Sequence, residues 1–387
     1  MSAEVNYDDQ PENSENLWFD VPIELGNRLI PSGNPWLAAL LPLACKICEE
    51  LNIDGTIDSE LMESSSELME WWRYWFPAMQ VVPVRCTSIV HRQNQTPTRT
   101  AQFFSGGVDS FFTLLRHIDN KDQIQVNDLL VGWGFDIPLN ESVAFEKVTK
   151  SLSAIAKNTE TKLVTFSTNI RDTRFGRELP WGAIGHGSAM AALALLLDNL
   201  YSRVLIPSTD GYRETGPWGS HATTDHYYSS STMRIIHDGA AYSRLQKVEL
   251  IATSPIPLGA LRVCWRSQAD INCGRCEKCL RTMLALELCG ALRKAATFSH
   301  AQLDLGLVKR IYCPFEKSGS LQLYYLELLN AAQQHGRTDI ARAISTAIRN
   351  SRHIKILLLV TKQFSQLPIL GSVFDHANRI LRHSLIY

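Results

Sequence analysis

Short apolar runs alternate with segments of helical spacing through the middle of the chain. Four runs have the length and composition of buried strands: Thr100–Phe104, Asp128–Phe135, Lys162–Phe166 and Arg203–Pro207. Three segments between them carry apolar residues at helical spacing: Phe111–His117, Glu141–Ala156 and Gly187–Leu200. Because strands joined by crossover helices are typical of parallel sheets, we predict an α/β domain over residues 96–290. Ligands of such sheets collect at the carboxyl ends of the strands.

Further segments flank this domain on both sides. Residues 1–16 are polar and acidic, which predicts a disordered tail. Residues 17–95 combine an extended segment, two helical segments and a strand, and we expect a small N-terminal α/β domain there. The polar, turn-rich segment His91–Arg99 is the predicted boundary. Residues 291–387 have a mostly helical pattern, which predicts a helical C-terminal extension.

A pair of glycines lies between the first predicted strand and its helix, in Ser105-Gly-Gly-Val-Asp-Ser110. Glycines let an anion approach the backbone, and the N–H groups of the following helical turn can bind phosphate oxygens. No lysine follows, so this is not the loop of the common nucleotide triphosphatases. We predict that ATP phosphates bind here, to Ser105, Gly106, Gly107, Val108, Asp109 and Ser110. Asp109 would orient Mg²⁺ or cap the helix.

Four cysteines stand within sixteen residues: Cys264, Cys273, Cys276 and Cys279. Cys-x-x-Cys steps let successive thiolates face one centre, and four thiolates complete the tetrahedral shell of a structural zinc ion. The glycine after Cys273 allows the tight turn that such a knuckle needs. An iron–sulfur cluster is the alternative, although the cysteine followed by proline that ends many cluster motifs is absent. We predict Zn²⁺ at residues 264–279.

The loop and the cysteine spacing together resemble the 7-cyano-7-deazaguanine synthase (QueC) family of PP-loop ATP pyrophosphatases. The resemblance covers about residues 98–290, roughly half the chain. It implies an adenine nucleotide alpha hydrolase-like (PP-loop) parallel sheet flanked by helices, with ATP, Mg²⁺ and Zn²⁺ bound. It also implies that ATP adenylates the carboxylate of 7-carboxy-7-deazaguanine, that ammonia forms an amide, and that a second adenylation dehydrates the amide to a nitrile.

Departures from that family point to a variant of it. Long segments precede the loop and follow the knuckle, Gly185–Ser188 replaces an expected Gly-Arg-Asn stretch, and the loop Gly219–Thr232 is longer. These features resemble the QueC-like proteins of bacterial antiphage operons. That resemblance implies a ligase that stops at the amide and joins the deazapurine carboxylate to an amine of a partner protein from the same operon.

Cations are needed where a carboxylate binds and where charge develops on the α-phosphate. Lys247 lies in a segment that resembles the Lys-x-Glu element of PP-loop enzymes, which implies a catalytic role; a solvated helix face is the alternative. Arg244 and Arg234 are candidates for the substrate carboxylate, with Arg244 also assigned to catalysis.

Polar residues also follow the predicted strands. Asp136 is a candidate for the adenine or ribose of ATP, and Asp210 and Tyr212 are candidates for the substrate. His221, Asp225 and His226 could hold a second metal ion or supply a general base, but their spacing lacks a supporting fourth group, which favours a hydrogen-bonded loop.

Composition narrows the function classes only slightly. A net charge of −1 over 387 residues disfavours nucleic acid as a main partner. Nine cysteines and an acidic N-terminus predict a reducing, cytoplasmic location, and the apolar run Ile354–Val360 is too short for a membrane span. Three alternatives to the ligase stay open: the nitrile-forming synthase, a tRNA-modifying PP-loop enzyme and a non-catalytic nucleotide-binding scaffold.

Overall fold

The computed structural model describes residues 1–92, 98–118, 124–213, 216–264, 272–298, 302–313 and 320–364. Its strands are β1 Ser2–Val5, β2 Glu15–Asp20, β3 Leu51–Asp58, β4 Val84–Val90, β5 Thr100–Phe103, β6 Asp128–Trp133, β7 Lys162–Thr168, β8 Arg203–Pro207 and β9 Arg234–Asp238. Its helices are α1 Ile23–Gly26, α2 Asn34–Ile47, α3 Ser59–Trp75, α4 Val108–Ile118, α5 Ser142–Asn158, α6 Arg174–Glu178, α7 His186–Leu196, α8 Arg244–Ala252, α9 Pro255–Ala260, α10 Glu277–Leu288, α11 Leu305–Val308, α12 Ser320–Gln334 and α13 Thr338–Phe364. No helix among the described residues has the length and apolar content needed to cross a bilayer.

The main sheet has seven strands in the order β1-β2-β7-β6-β5-β8-β9. From β7 to β9 all neighbouring strands pair in parallel, while β1 and β2 add to the outer edge of β7 in antiparallel fashion. A separate two-stranded parallel sheet pairs β3 with β4. The predicted α/β architecture, a mostly parallel sheet flanked by helices, is therefore confirmed.

Two compact units divide the chain. The first joins residues 1–105 to residues 109–241, and the second joins residues 106–108 to residues 242–387. The N-terminal segment 17–95, expected as a domain of its own, belongs to the first unit because β2 pairs with β7 and α2 packs on α7. The expected C-terminal extension joins the second unit with α8–α10, and its residues 365–387 lie outside the described residues.

Residues 1–16 differ from the predicted disordered tail. Strand β1 pairs with β2, and the N-terminal amine of Met1 donates a hydrogen bond to the carbonyl of Phe19 at 2.8 Å. Asp9 binds the guanidinium of Arg174 through both carboxylate oxygens, at 2.6 and 2.7 Å. Basic residues distant in sequence therefore neutralise the acidic composition that suggested disorder.

Helix α7 is apolar on every side, and nine of its residues are buried. Alanines at four of its positions let neighbouring elements approach closely, and α2 packs against it. Helix α2 is likewise buried along most of its length, from Asn34 to Cys45. An all-apolar helix must be covered on more than one side, which explains why the N-terminal segment packs in the first unit.

A buried carboxylate connects α4 to the end of β9. Asp238 accepts hydrogen bonds from the Thr113 hydroxyl at 2.8 Å and from His117 Nε2 at 3.0 Å. Burial alone would raise the pKa of Asp238, but the hydrogen bond from His117 and the charges of His117 and Arg116 lower it below its ordinary value. The helix that follows the glycine pair is therefore fixed to the sheet.

In the second unit, residues of the C-terminal extension contact α10 and α8. The Tyr325 hydroxyl donates a hydrogen bond to buried Glu277 at 2.9 Å, and the Arg281 guanidinium lies 4.6 Å from the ring centre of Tyr324. The N–H of Leu245, on α8, donates to Glu327 Oε2 at 3.1 Å. Helix α12 therefore holds α8 and α10 together.

Asp238→Asn should weaken the contact between α4 and β9. We expect a loss of about 2 kcal/mol in the free energy of unfolding at pH 7, because a buried charge-assisted hydrogen bond is lost. The pKa of Asp238 is lower in the folded protein than in the unfolded chain. The stabilisation by its carboxylate is therefore complete above the unfolded pKa of about 3.9 and is lost as the pH falls through the folded pKa. Urea unfolding at pH 7 and at about pH 2.5 should therefore show the gap to the unsubstituted protein narrowing in acid.

Asp172→Asn is the matched control, because Asp172 is exposed in the same unit. Its effect should stay within about 0.5 kcal/mol at either pH. A gap for Asp238→Asn that is equally large at both pH values would contradict a stabilising role for the ionised carboxylate.

Candidate functional site

The glycine pair follows the carboxyl end of β5, the middle strand of the five that pair in parallel. Strand β5 ends at Phe103 and α4 begins at Val108. Gly106 has φ 73°, a left-handed conformation that costs a side-chain-bearing residue about 1 kcal/mol. Its carbonyl accepts the N–H of Arg262 at 2.8 Å within the second unit. The sequence thus places a glycine where the turn requires one.

Hydroxyl groups flank this turn. The Ser105 and Ser110 hydroxyl oxygens lie 3.5 Å apart, and the buried Gln102 amide donates to the Ser110 carbonyl at 2.6 Å. Asp109 lies in the first turn of α4. Ser105, Asp109 and Ser110 therefore lie at or beside the N-terminus of a helix of eleven residues.

Other predicted residues also follow parallel strands. Asp136 is exposed and lies after β6, and Asp210 and Tyr212 lie after β8. The Tyr212 N–H donates to the Ala240 carbonyl at 3.0 Å, while its side chain is 67% exposed. All three residues lie on the carboxyl side of the sheet, on which the prediction depended.

Arg234 does not fit its predicted role in binding the substrate. It is the first residue of β9, where it pairs with Arg203, the first residue of β8. The amino ends of parallel strands lie at the edge opposite to their carboxyl ends, and Arg234 is exposed there. The role of Arg234 in binding the substrate stays a prediction, which its place at the amino end of β9 does not favour.

Arg244 and Lys247 lie on α8 of the second unit. Both are buried, Arg244 at 7% exposure and Lys247 at 1%. Because both side chains are buried, the alternative of a solvated helix face does not hold for this pair. Buried cations need polar partners. The helix begins with a capping box between Ser243 and Gln246, which fixes the first turn that carries Arg244.

The loop before β9 is organised by one carboxylate. Asp225 is fully buried and accepts hydrogen bonds from the Ser220 hydroxyl at 2.6 Å and the His221 N–H at 3.0 Å. His226 is exposed, and its ring centre lies 4.1 Å from that of Tyr227. The hydrogen-bonded loop, which the spacing favoured over a second metal site, is therefore confirmed.

An aromatic cluster stands at the start of α7, where the Gly185–Ser188 segment departs from the family pattern. The cluster consists of Trp181, His186 and Trp218. The ring centre of His186 lies 6.2 Å from that of Trp181 and 5.5 Å from that of Trp218. Burial lowers the pKa of His186, which favours its neutral form. Trp218 Nε1 is buried and has no hydrogen-bond acceptor among the described residues. No spacing pattern in the sequence predicts this cluster.

The four predicted cysteines do come together. Their Sγ atoms all lie within 4.8 Å of one another, with 4.0 Å between Cys264 and Cys276 and 3.9 Å between Cys273 and Cys279. Four thiolates at about 2.3 Å from a tetrahedral zinc ion stand about 3.8 Å apart, so the cluster fits one ion. Thiolates that each bound a different iron of a cluster would lie further apart. Among the described residues, no other group of three or more His, Cys, Asp or Glu is placed to hold a metal.

Local structure explains why these sulfurs converge. Gly274 has φ 64°, which makes the tight turn after Cys273. The N–H groups of Arg275 and Cys276 point to Cys273 Sγ at 3.5 and 3.3 Å. Cys276 precedes α10 and Cys279 lies in its first turn, where the helix dipole favours a thiolate.

Asn272 is a supporting residue that the spacing did not reveal. Its carbonyl oxygen accepts the N–H groups of Val263 at 2.8 Å and Cys264 at 3.1 Å. Its amide donates to the Leu261 carbonyl at 2.8 Å and the Thr297 hydroxyl at 3.0 Å. One buried side chain thus fixes the distant first cysteine beside the other three.

Comparisons with models of known protein families, with curated proteins and with solved structures found no match to this chain. What the chain does is therefore inferred from its residues, their geometry and the resemblance of its two motifs. Of these, the four-cysteine group is a candidate zinc site by geometry, and the loop after β5 combines a left-handed glycine with the start of a helix.

Cys279→Ser should remove the metal. We expect about one zinc ion per chain in the unsubstituted protein and none retained by this variant after dialysis, because three thiolates no longer complete the tetrahedral shell. Elemental analysis of purified protein measures this. Cys48→Ser, at an exposed cysteine in the first unit, should leave the zinc content unchanged. An unsubstituted protein that carries iron and absorbs visible light would contradict the zinc assignment.

Asn272→Ala should weaken zinc binding without removing a ligand. Outer-shell partners commonly contribute 10- to 100-fold to metal affinity, and we expect a loss of about that size in competition with a chelator. Thr297→Val is the control, because it removes one of the four hydrogen-bond partners of Asn272. Equal zinc affinities for Asn272→Ala and the unsubstituted protein would show that Asn272 has no part in organising the site.

Proposed function

We propose that this chain is an ATP-dependent, AMP-forming carbon–nitrogen ligase of the PP-loop class. It adenylates the carboxylate of a 7-carboxy-7-deazaguanine-like substrate and transfers the acyl group to an amine. The acceptor is the N-terminus of a partner protein or ammonia, and the setting is antiviral defence. The observation that carries the proposal is the position and conformation of residues 105–110, after the central strand β5 and at the start of α4.

Sheet topology supports this position as a binding site. The chain runs from β5 to β6 on one side, and later places β8 on the other side of β5. Connections that leave neighbouring strands in opposite directions open a crevice outside their carboxyl ends, and α/β proteins bind ligands in it. The segment 105–110 follows β5, and Asp210 and Tyr212 follow β8, so both sides of this crevice carry predicted binding residues.

The chemistry of the loop suits a triphosphate. Gly106 adopts a left-handed conformation in this turn, and two serine hydroxyls and the N-terminus of α4 lie in the same segment. Such groups are the kinds of donor that bind phosphate oxygens. Asp109 would hold Mg²⁺, which bridges phosphate oxygens and offsets their charge. Lys247 would neutralise charge on the α-phosphate, and Arg244 would bind the substrate carboxylate.

Adenylation converts the carboxylate oxygen, a poor leaving group, into part of AMP, which is a good one. A carboxylate oxygen attacks the α-phosphorus of ATP, and pyrophosphate leaves. The amine then attacks the acyl carbon, a C–N bond forms, and AMP departs with the electrons of the broken C–O bond. The contribution of the protein is to position the reactants and to stabilise charge.

Product analysis tests the proposal. The zinc-loaded protein is incubated with ATP, Mg²⁺, 7-carboxy-7-deazaguanine and an amine, and AMP, pyrophosphate and the acylated product are measured. We expect AMP and pyrophosphate only when the carboxylate is present, and an amide as the product. Asp109→Asn and Lys247→Met should each slow AMP formation by about 100-fold, since each removes one charge from the transition state.

Lys309→Met is the matched control, because Lys309 is exposed in the second unit. Its rate should equal that of the unsubstituted protein. A product lighter than the amide by one water would assign the chain to the nitrile-forming synthases. Folded, zinc-loaded protein that forms no AMP from ATP in the presence of the carboxylate, or that forms ADP instead, would contradict the ligase proposal.

A further inference from the structure

Beside the aromatic cluster lies a histidine–carboxylate pair that the proposed adenylation does not use. His237 Nδ1 lies 2.8 Å from Asp225 Oδ2. The Ser220 hydroxyl donates to the same oxygen, and the His221 N–H donates to the other. Three groups thus fix a fully buried carboxylate, and one of them is the ring of His237.

This geometry sets the tautomer of His237. A carboxylate that already accepts two hydrogen bonds accepts a third from Nδ1, so the proton of a neutral ring lies on Nδ1. The lone pair is then on Nε2. The side chain of His237 is 7% exposed, and its hydrogen bonds with the described residues involve Nδ1 alone. The ring, and with it Nε2, is therefore held in one orientation.

The pair lies near the edge where the proposed chemistry occurs. His237 pairs with Ile206 of β8, one residue before β9 ends at Asp238. Strand β9 is two strands from β5, a distance of about 10 Å at the usual strand spacing. Asp238 points to α4, so His237 points to the opposite face, toward the turn 225–228 that packs near α7.

We propose that His237, oriented by Asp225, is the general base that takes the proton from the attacking amine. The inference rests on the proposed ligase function and adds the residue that serves its second step. The amine lone pair forms the C–N bond, the C–O bond breaks with its electrons leaving on AMP, and the N–H proton moves to Nε2. Water takes that proton before the next cycle.

Other titratable groups face the same region. His186 at the start of α7 lies near enough for the charges of Asp225, Asp136 and His237 to act on it. Tyr228, in the turn beside Asp225, is fully buried, and burial raises its pKa far above the ordinary value, so it stays neutral. Among the described residues, two histidine rings are oriented by a carboxylate: His117 by Asp238, toward α4, and His237 by Asp225, toward the turn 225–228.

Separate measurement of the two chemical steps tests the inference. His237→Asn keeps a donor near the Nδ1 position and removes the base. In single-turnover experiments we expect pyrophosphate formation within about twofold of the unsubstituted protein, but an amide-forming step slower by on the order of 100-fold. The pH profile of that step should differ from that of the unsubstituted protein, and Asp225→Asn should slow the same step through the wrong tautomer.

His226→Asn is the matched control, since it makes the same change at an exposed histidine of the same loop. Both steps should proceed at the unsubstituted rate. An amide-forming step of normal rate and pH profile in His237→Asn would overturn the base assignment while leaving the ligase intact. Equal loss of both steps in folded His237→Asn would show a structural role instead. Absence of pyrophosphate formation in the unsubstituted protein would refute the ligase itself.

Discussion

Parallel pairing of five neighbouring strands is the constraint on which the first unit depends. Because β7, β6, β5, β8 and β9 run in one direction, the segments that follow them meet at one edge of the sheet. The glycine turn, Asp136 and Asp210 come from distant parts of the sequence, and this edge brings their strands together. The same constraint assigns Arg234 to the opposite edge. Strand direction, more than proximity in sequence, therefore decides which polar residues can share a site.

Much of the parallel sheet is predictable from sequence, since β5, β6, β7 and β8 are short apolar runs separated by helical spacing. Strands β1, β3 and β9 carry weaker signals. Residues 2–5 alternate without a strong apolar face, and pairing with β2 together with the ion pair of Asp9 with Arg174 orders that segment. Long-range pairing of this kind leaves no local pattern. The predicted N-terminal domain belongs to the first unit for a similar reason, because the all-apolar surface of α7 needs α2 as cover.

The candidate sites show the same division between local and distant signals. The spacing of the four cysteines predicts a metal site, and their sulfurs converge in the structure. Spacing does not predict the role of Asn272, because that role depends on the Leu261 carbonyl and the Thr297 hydroxyl, which lie elsewhere in the chain. The pairing of Asp225 with His237 likewise joins a loop to a strand, and only folded geometry shows that one carboxylate orients the ring. Residues that support a site are harder to predict than residues that touch its ligand.

The central claim is that a substrate carboxylate attacks the α-phosphate of ATP at the turn after β5. Isotope transfer measures this bond directly. The substrate is prepared with ¹⁸O in its carboxylate, the ligation is run with ATP and an amine, and the AMP is analysed by mass spectrometry. The account predicts that AMP gains one ¹⁸O atom for each amide formed. Unlabelled AMP, or label appearing in inorganic phosphate, would contradict it.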